Sequence, residues 1–260
     1  TPASRDNPHA FMENILLPSA IRFEAGERPN EGVVVVEPCY HGYGTTLGNA
    51  LRRVMLSSLT GAAVTAIRIK GATHEFQAID GVKEDVLEMI LNLKGLRLKS
   101  HSEEPVKLSL KVKGAKTVTA KDIEKNADVE IANPNLLIAT LTDDKAVLDM
   151  EITVGRGRGY SRTEERQAGA AELGTIAVDA LFSPVRSVGY KVENTRVGEI
   201  TNYDKLTMTI ETDGTITPEE AVKSSAKTLI DHFSILLQEP SPAGDALTPS
   251  EVEGEGPAAE

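Results

Sequence analysis

The stretch His41-Gly42-Tyr43-Gly44-Thr45-Thr46-Leu47-Gly48-Asn49-Ala50-Leu51-Arg52-Arg53-Val54-Met55-Leu56-Ser57-Ser58 decides how this chain is read. An apolar strand-like run at 33–36 precedes it, its glycines make a turn, and the remainder has helical period. At about 100° per residue, Leu47, Ala50, Leu51, Val54 and Met55 share one stripe, which reads as a core face. Thr46, Asn49, Arg53 and Leu56 fall on the opposite side. Two readings stay open. One is an amphipathic helix with a single stray exposed Leu, which is common. The other is a helix that something packs against from both sides. Thr46 is the expected N-cap, and the helix is expected to run to Ser58 and stop before Gly61.

Composition sets the bounds around this segment. The chain has 260 residues, 40% of them hydrophobic, enough for a sizeable core in one or two domains. Trp is absent and aromatics make up 4%, so aliphatic side chains must fill that core. Cys39 is the single cysteine, which excludes an intrachain disulfide and suits a reducing cytosol. No apolar run reaches the length of a membrane span. Residues 1–10 lack the build of a signal peptide, and Thr1 in place of Met suggests a fragment or a processed chain. The net charge is −11, from 28 basic and 39 acidic residues. Such a chain gains nothing from counterion release on DNA, although a local basic loop could still touch it.

Outward from the central stretch, residues 1–10 are polar, with Pro2 and Pro8, and are expected to be disordered. Apolar runs at 14–23 and 33–36 flank a Gly/Pro/Asn turn and read as an antiparallel hairpin. Strand-like runs follow at 64–70 and 73–77. A second helix is expected over 82–94, capped by Asp80, striped by Val82, Val86, Met89, Ile90 and Leu93, and stopped by Gly95. Residues 96–154 then alternate short β-rich runs with turns, such as 106–112, 129–132 and 146–154, and a Gly- and charge-rich loop fills 155–174. Strands return at 175–182, 187–192 and 205–211. The last helix opens on Thr217 as N-cap, Pro218 at the first helical position and Glu220 completing a capping box. Val222, Ala226, Leu229, Phe233 and Leu236 then make a heptad seam, widened by Ile230 and Leu237. A seam this regular is either a core helix or a dimer element.

Little in the sequence points to chemistry. Gly42-Tyr43-Gly44 after a strand imitates a dinucleotide turn, but the third glycine of the pattern would fall on Leu47, and the next strand ends in Lys70 rather than an acid. His9, His41, His74, His101 and His232 are scattered, and one Cys cannot build a zinc site. No acidic triplet resembles the metal-binding aspartates of a nucleotide polymerase. No catalytic residue, metal or cofactor is therefore expected in this chain. Arg156, Arg158, Arg162 and Arg166 stand among glycines and suit an acidic partner or phosphate. Glu164, Glu165 and Glu172 dilute them, and a mobile loop is the plainer reading.

The 41–58 stretch closely resembles the N-terminal assembly domain of bacterial RNA polymerase α subunits. So do Asp80-Gly81-Val82-Lys83-Glu84-Asp85-Val86-Leu87-Glu88-Met89-Ile90-Leu91-Asn92-Leu93-Lys94-Gly95, Arg156-Gly157-Arg158-Gly159-Tyr160, Ser183-Pro184-Val185, Asp204-Lys205-Leu206, and Asp213-Gly214-Thr215-Ile216-Thr217-Pro218-Glu219-Glu220-Ala221. These segments follow the family's order over roughly residues 11 to 237. The resemblance implies an α+β fold. Residues 11–60 plus 184–237 form an antiparallel-sheet dimerisation domain with two helices, and 61–183 an inserted mixed, β-rich domain. Residues 238–260 form a disordered acidic tail.

It further implies a homodimer built on the first and last helices, with Leu47, Leu51, Val222, Ala226, Leu229, Ile230, Phe233 and Leu236 at the interface. Arg53 and Leu56 would contact the β subunit, with Arg52 and Asn49 close by. Lys94 and Val178 would lie where the other copy meets β′. From their positions alone, Lys94 is also an ordinary C-terminal helix charge, and Val178 a strand core residue. The implied role is a non-catalytic scaffold of DNA-directed RNA polymerase, a nucleotidyltransferase, in the bacterial cytoplasm with the nucleoid. Its partners would be β, β′, ω and σ. Family members continue past an acidic linker into a small domain that binds promoter DNA and activators. Here the sequence stops inside a Pro-, Gly- and Glu-rich tail, so that domain is expected to be truncated or missing, which leaves direct DNA contact in doubt. Two other classes make different predictions. An enzyme using the 42–48 turn would bind nucleotide as a monomer, and a generic homodimeric module would recruit nothing large.

Overall fold

The computed structural model describes residues 15–166 and 174–237. The expected disordered start, the acidic tail and part of the 155–174 loop lie outside them. Along the chain run β1 (Ala20–Ala25), β2 (Glu31–Cys39), α1 (Tyr43–Ser57), β3 (Thr60–Ile69), α2 (Val86–Lys94), β4 (Leu98–Ser100), β5 (Val106–Lys113), β6 (Lys116–Thr119), β7 (Val129–Ile131) and β8 (Leu137–Leu141). Then come β9 (Val147–Arg158), β10 (Tyr160–Ser161), α3 (Thr163–Arg166), β11 (Thr175–Ala177), β12 (Ala180–Leu181), β13 (Val185–Val197), β14 (Ile200–Thr212) and α4 (Pro218–Leu236). Antiparallel sheets dominate, so the fold is α+β.

Two bodies share the chain. The first is an antiparallel sheet in the order β1-β2-β14-β13, joined by α1 and α4. Its strands alternate as a sheet covered on one face must. Val34, Met208, Leu206, Ile210 and Val188 point to the helices and are buried with Met55 and Ala221, while Thr207, Thr209, Lys191 and Glu193 stand on the other face. The β2–β14 register slips between the pairs Cys39–Asp204 and Val36–Leu206. Pro38 lies in the slipped stretch and has no N–H to give a ladder.

The second body carries the sheet β5-β9-β3-β4-β7, with β11 also on β3, and the small ladders β6-β8 and β10-β12. The buried face of α2, Val86, Met89, Ile90 and Leu93, packs into this body's core with Ile67, Leu110, Ile138 and Ile152. The chain leaves the first body along Thr60 and Gly61 and returns through Phe182 and Pro184. A Cβ at Gly61 would stand 1.9 Å from the Phe182 carbonyl oxygen, so only glycine lets the two crossings run side by side. Arg97 Nη1 donates to the Asp213 carbonyl oxygen at 2.9 Å and ties the bodies together again.

Several expectations need correction. Helix α1 starts at Tyr43, not after Thr46, because its cap comes from another strand, as described below. Helix α2 starts at Val86 on Asp85, whose carboxylate accepts from Glu88 N at 2.7 Å, rather than on Asp80. Val82 is not helical and makes an isolated bridge to Leu141. The 73–77 run is a loop, folded on itself by Gln77, which accepts from Thr73 N and donates to the Gly71 carbonyl. The glycine-rich 155–158 segment is the end of strand β9. Strands β4, β6 and β8 lie within the β-rich 96–154 stretch, between the runs that its sequence picks out.

Candidate partner interface

Helix α1 is held by a residue far away in sequence. Gly42 takes a left-handed φ of 84°, which turns the chain out of β2. The N–H groups of Gly42 and Gly44 both donate to Asp204 Oδ2, at 2.9 and 3.0 Å. Asp204 is buried on β14 and lies 162 positions from Gly42. Its carboxylate fills the donor-rich, partly positive end of the helix. His41 Nδ1 stands 4.0 Å from Oδ1 of the same carboxylate.

Gly44 and Gly48 then let α1 lie flat on the sheet. A Cβ on Gly44 would meet Asp204 and Val192 at 2.9 Å; one on Gly48 would meet Tyr190 and Leu206 at 2.8 and 2.9 Å. The buried line is therefore Gly44, Gly48 and Met55, and the expected stripe of Leu47, Ala50, Leu51 and Val54 is only half-buried along its flank. Leu56 is no stray exposed residue either. It is half-buried and packs against the first body's core, while Asn49, Arg52 and Arg53 are exposed.

The cap of α4 forms as its sequence directs: Thr217 Oγ1 accepts from Glu220 N at 3.2 Å, and Glu220 Oε2 accepts from Thr217 N at 2.9 Å. The Thr217 N–H holds the Glu220 carboxyl below its ordinary value. The heptad seam divides along its length. Val222 packs against the core, and Ala226 and Leu229 are half-buried. Beyond them Ile230 is 66% exposed, Phe233 59% and Leu236 78%. Ile21 and Phe23, cross-strand from the inward-facing Val36 and Val34, are also exposed, Ile21 at 61%.

On the second body, Lys94 is exposed at the end of α2, its Nζ 3.3 Å from Asp179 Oδ2. The Asp179 carboxyl is held below its ordinary value, first by the Thr163 N–H, which donates at 3.0 Å, and then by Lys94 and Tyr160. Val178, expected at the β′ contact, is 1% exposed and belongs to the second body's core. Val178 lies in the link between β11 and β12 and turns inward, so the group beside Lys94 is the half-buried Asp179, not Val178. Of the four clustered arginines, Arg166 is committed to the protein's own backbone, donating to the carbonyls of Thr65 at 3.2 Å, of Ser161 and of Val178. Arg156, Arg158 and Arg162 are exposed.

Comparison with known proteins gives this geometry its family. The family described as RNA polymerase Rpb3/RpoA insert domain matches residues 67–183, nearly all within the second body. The DNA-directed RNA polymerase subunit alpha of Alkaliphilus metalliredigens is 51% identical over 215 residues, covering 83% of this chain and 68% of that protein. The same subunit of Oceanobacillus iheyensis is 51% identical over 226 residues, covering 87% and 72%. That of Alkaliphilus oremlandii is 50% identical over 206 residues, covering 79% and 65%. The chain belongs to the RNA polymerase α-subunit family.

For this α-family chain the dinucleotide reading of the 42–48 turn fails on geometry. A Rossmann turn needs parallel strands and an empty helix N-terminus for the phosphate. Here β2 lies in an antiparallel sheet, and Asp204 occupies the helix N-terminus with a negative charge of its own. Among the described residues no three His, Cys, Asp or Glu side chains are grouped to hold a metal ion. No helix among them is long and apolar enough to cross a membrane. The Cys39 thiol is buried, and burial pushes its pKa up, which makes it a poor nucleophile.

Proposed function

We propose that this α-family chain homodimerises and, as a dimer, scaffolds the β and β′ catalytic subunits of DNA-directed RNA polymerase. In this reading the first body is the dimerisation domain and the second an insert. The chain is a non-catalytic subunit of a cytoplasmic, nucleoid-associated enzyme whose further partners are ω and σ. The observation that carries the reading is the uncovered apolar end of α4: Ile230, Phe233 and Leu236 continue a seam in which Val222 packs against the core and Ala226 and Leu229 are half-buried. A helix that is amphipathic over its full length and covered over half of it calls for a second surface. A second copy supplies one of the same chemistry, as a two-fold interface requires.

In the dimer, Arg53 and Leu56 would meet β, with Arg52 and Asn49 beside them, and Lys94 on the other copy would meet β′. An exposed guanidinium next to a half-buried Leu suits a bidentate pair to a carboxylate beside an apolar contact. A dimer formed in advance reduces the entropy lost when several large chains associate. The test is the mass, by light scattering after size exclusion, of the tagged chain mixed with purified β. Two α chains with one β are expected, and Arg53→Ala is expected to leave the dimer intact but lose β. A stable dimer that ignores β removes the scaffold reading. A mutant dimer that captures β normally moves the contact away from Arg53.

A further inference from the structure

The large sheet of the second body has an outer face whose charge runs against that of the chain. Opposite residues in a ladder share a side. The pairing therefore sets Lys107 beside Thr153 and Ala66, Ser109 beside Glu151, Arg68 and Thr175, Lys111 beside Asp149, and Lys113 beside Val147. Lys70, whose N–H donates to the Asp149 carbonyl oxygen at 2.9 Å, follows Ile69 on β3 and falls on the same side. The residues between them, Leu108, Leu110, Met150, Ile152, Ile67 and Ile69, turn into the core. Arg68, Lys70, Asp149 and Glu151 line one common cavity of about 360 Å³.

On these paired rows five cations stand against two anions, a net charge of +3 in a chain of −11. The cations are exposed, and the two acids are half-buried between them. Asp149 and Glu151 make a single column on β9, flanked by Lys107, Lys111 and Lys113 on β5 and by Arg68 and Lys70 on β3. Lys107 Nζ reaches Glu151 Oε1 at 3.1 Å. Two carboxylates offset only part of the charge on either side. Lysines on an edge strand such as β5 ordinarily guard it against pairing with other chains. Arg68 and Lys70 lie two strands in, on β3, where no edge needs guarding.

Residues 238–260 follow the last described residue, Leu237. From 239 to 260 they carry six acids and no base. Glu251, Glu253 and Glu255 alternate with Val252 and Gly254. In an extended segment such residues share a side and stand about 6.8 Å apart, which is also the spacing of Lys111 and Lys113 along β5. Glu251 comes 14 positions after Leu237, a reach of up to roughly 46 Å. A compact chain of this length has a radius of gyration of about 18 Å, so the segment can reach the face.

We propose that Glu251, Glu253 and Glu255 dock on the β5–β9–β3 face of their own chain and so strap the end of α4 to the second body. The segment brings the complementary charge at the matching spacing. It is also tethered. Exposed Lys–Glu pairs are individually weak, but a tether holds the two sides at an effective concentration of about millimolar. A nucleic acid fits the face less well. Its phosphates follow one another every ~1.7 Å of axis, so they fall over Asp149 and Glu151 as well as over the cations, and the net charge of the chain repels them. Neither the dimer nor β takes part in this contact.

Cys39 is buried, so a cysteine introduced near the end of the tail can be labelled alone. The test follows the fluorescence anisotropy of a dye on Ala258→Cys in the full chain. Anisotropy is expected to be high at low salt, to fall by about a third or more at about 0.5 M salt, and to be low throughout in Lys111→Glu/Lys113→Glu. Glu251→Gln/Glu253→Gln/Glu255→Gln is expected to behave like that variant. With its face uncovered, it should also bind inorganic polyphosphate about fivefold more tightly than the wild type. If Lys111→Glu/Lys113→Glu lowers Tm, Lys111→Gln/Lys113→Gln takes its place. Equal low-salt anisotropy in wild type and variants overturns the proposal. A fall on mixing labelled wild type with excess unlabelled Lys111→Glu/Lys113→Glu chain also overturns it, because the tail then sits on the other copy. Polyphosphate that binds the wild type and the Gln variant equally well does the same.

Discussion

The two cores of this chain are finished to different degrees. In the second body Ile67, Met89, Leu110, Ile138, Leu148 and Ile152 are fully enclosed by the body's own strands and α2. Its exposed apolar side chains, such as Phe76, Leu91 and Leu181, stand on separate elements. The first body has an equally dry centre in Met55, Leu206, Met208 and Ile210. That centre runs out toward the β1 edge and toward the end of α4, where Ile21, Phe23, Ile230, Phe233 and Leu236 continue the same kinds of surface without a cover. Composition and period are alike on both sides of this limit. Whether an apolar residue belongs to the fold or to assembly depends on whether its cover is encoded in the same chain.

The largest expected effect breaks the comparison at its open end. Replacing Leu229 and Phe233 by Glu puts charge into the proposed dimer surface, at a cost of roughly 3–5 kcal/mol for an unpaired buried charge. The mass by light scattering should fall from dimer to monomer, with far-UV circular dichroism retained. A dimer that survives would mean the open edge is covered by something other than α4. A smaller effect probes how the closed part of the first body is fastened. Asp204→Ala leaves two N–H groups at the start of α1 without their acceptor, which costs about 1–3 kcal/mol. The urea midpoint should drop accordingly; an unchanged midpoint would show that water replaces the carboxylate.

The smallest effect is a pH dependence that separates the bodies. Glu220 in the first and Asp179 in the second are both held below their ordinary values of 4.5 and 3.8. A carboxyl with a depressed folded pKa adds stability above its unfolded pKa and loses it as pH falls through the folded one. Tm should therefore decline as pH is lowered from about 6 toward 3, and Glu220→Gln or Asp179→Asn should each flatten part of that decline. Equal slopes in wild type and variants would remove both carboxyls from the account.

What the sequence revealed depended on how locally each feature is encoded. The cap of α4 was legible because Thr217, Pro218 and Glu220 lie within one turn and need nothing else. The start of α1 was not, because its cap is Asp204, brought in by β14. The buried line of α1 was missed for a related reason: Gly44 and Gly48 carry no side chain and give no apolar signal, yet their bareness decides which way the helix faces. Helix α2 was found, but its start was set too early, since Val82 keeps the apolar period while bridging to Leu141. Strands β4, β6 and β8 span three to five residues each, too few to show an alternation. Of the two residues expected at β′, Lys94 is at the surface and Val178 is in the core, because the link between β11 and β12 turns Val178 inward, and no local pattern announces that.

The side-by-side crossing at Gly61 and Phe182 also orders events during synthesis. As the chain emerges from the ribosome, β1, β2 and α1 come first, but their sheet lacks β13 and β14, and α1 lacks Asp204. Every strand of the second body lies between residues 60 and 181, so that body has all its parts while the first still waits. Helix α4 is translated after all of these strands. The uncovered end of α4 is therefore made only after every strand beneath it, whereas Ile21 and Phe23 on β1 are among the first residues to emerge.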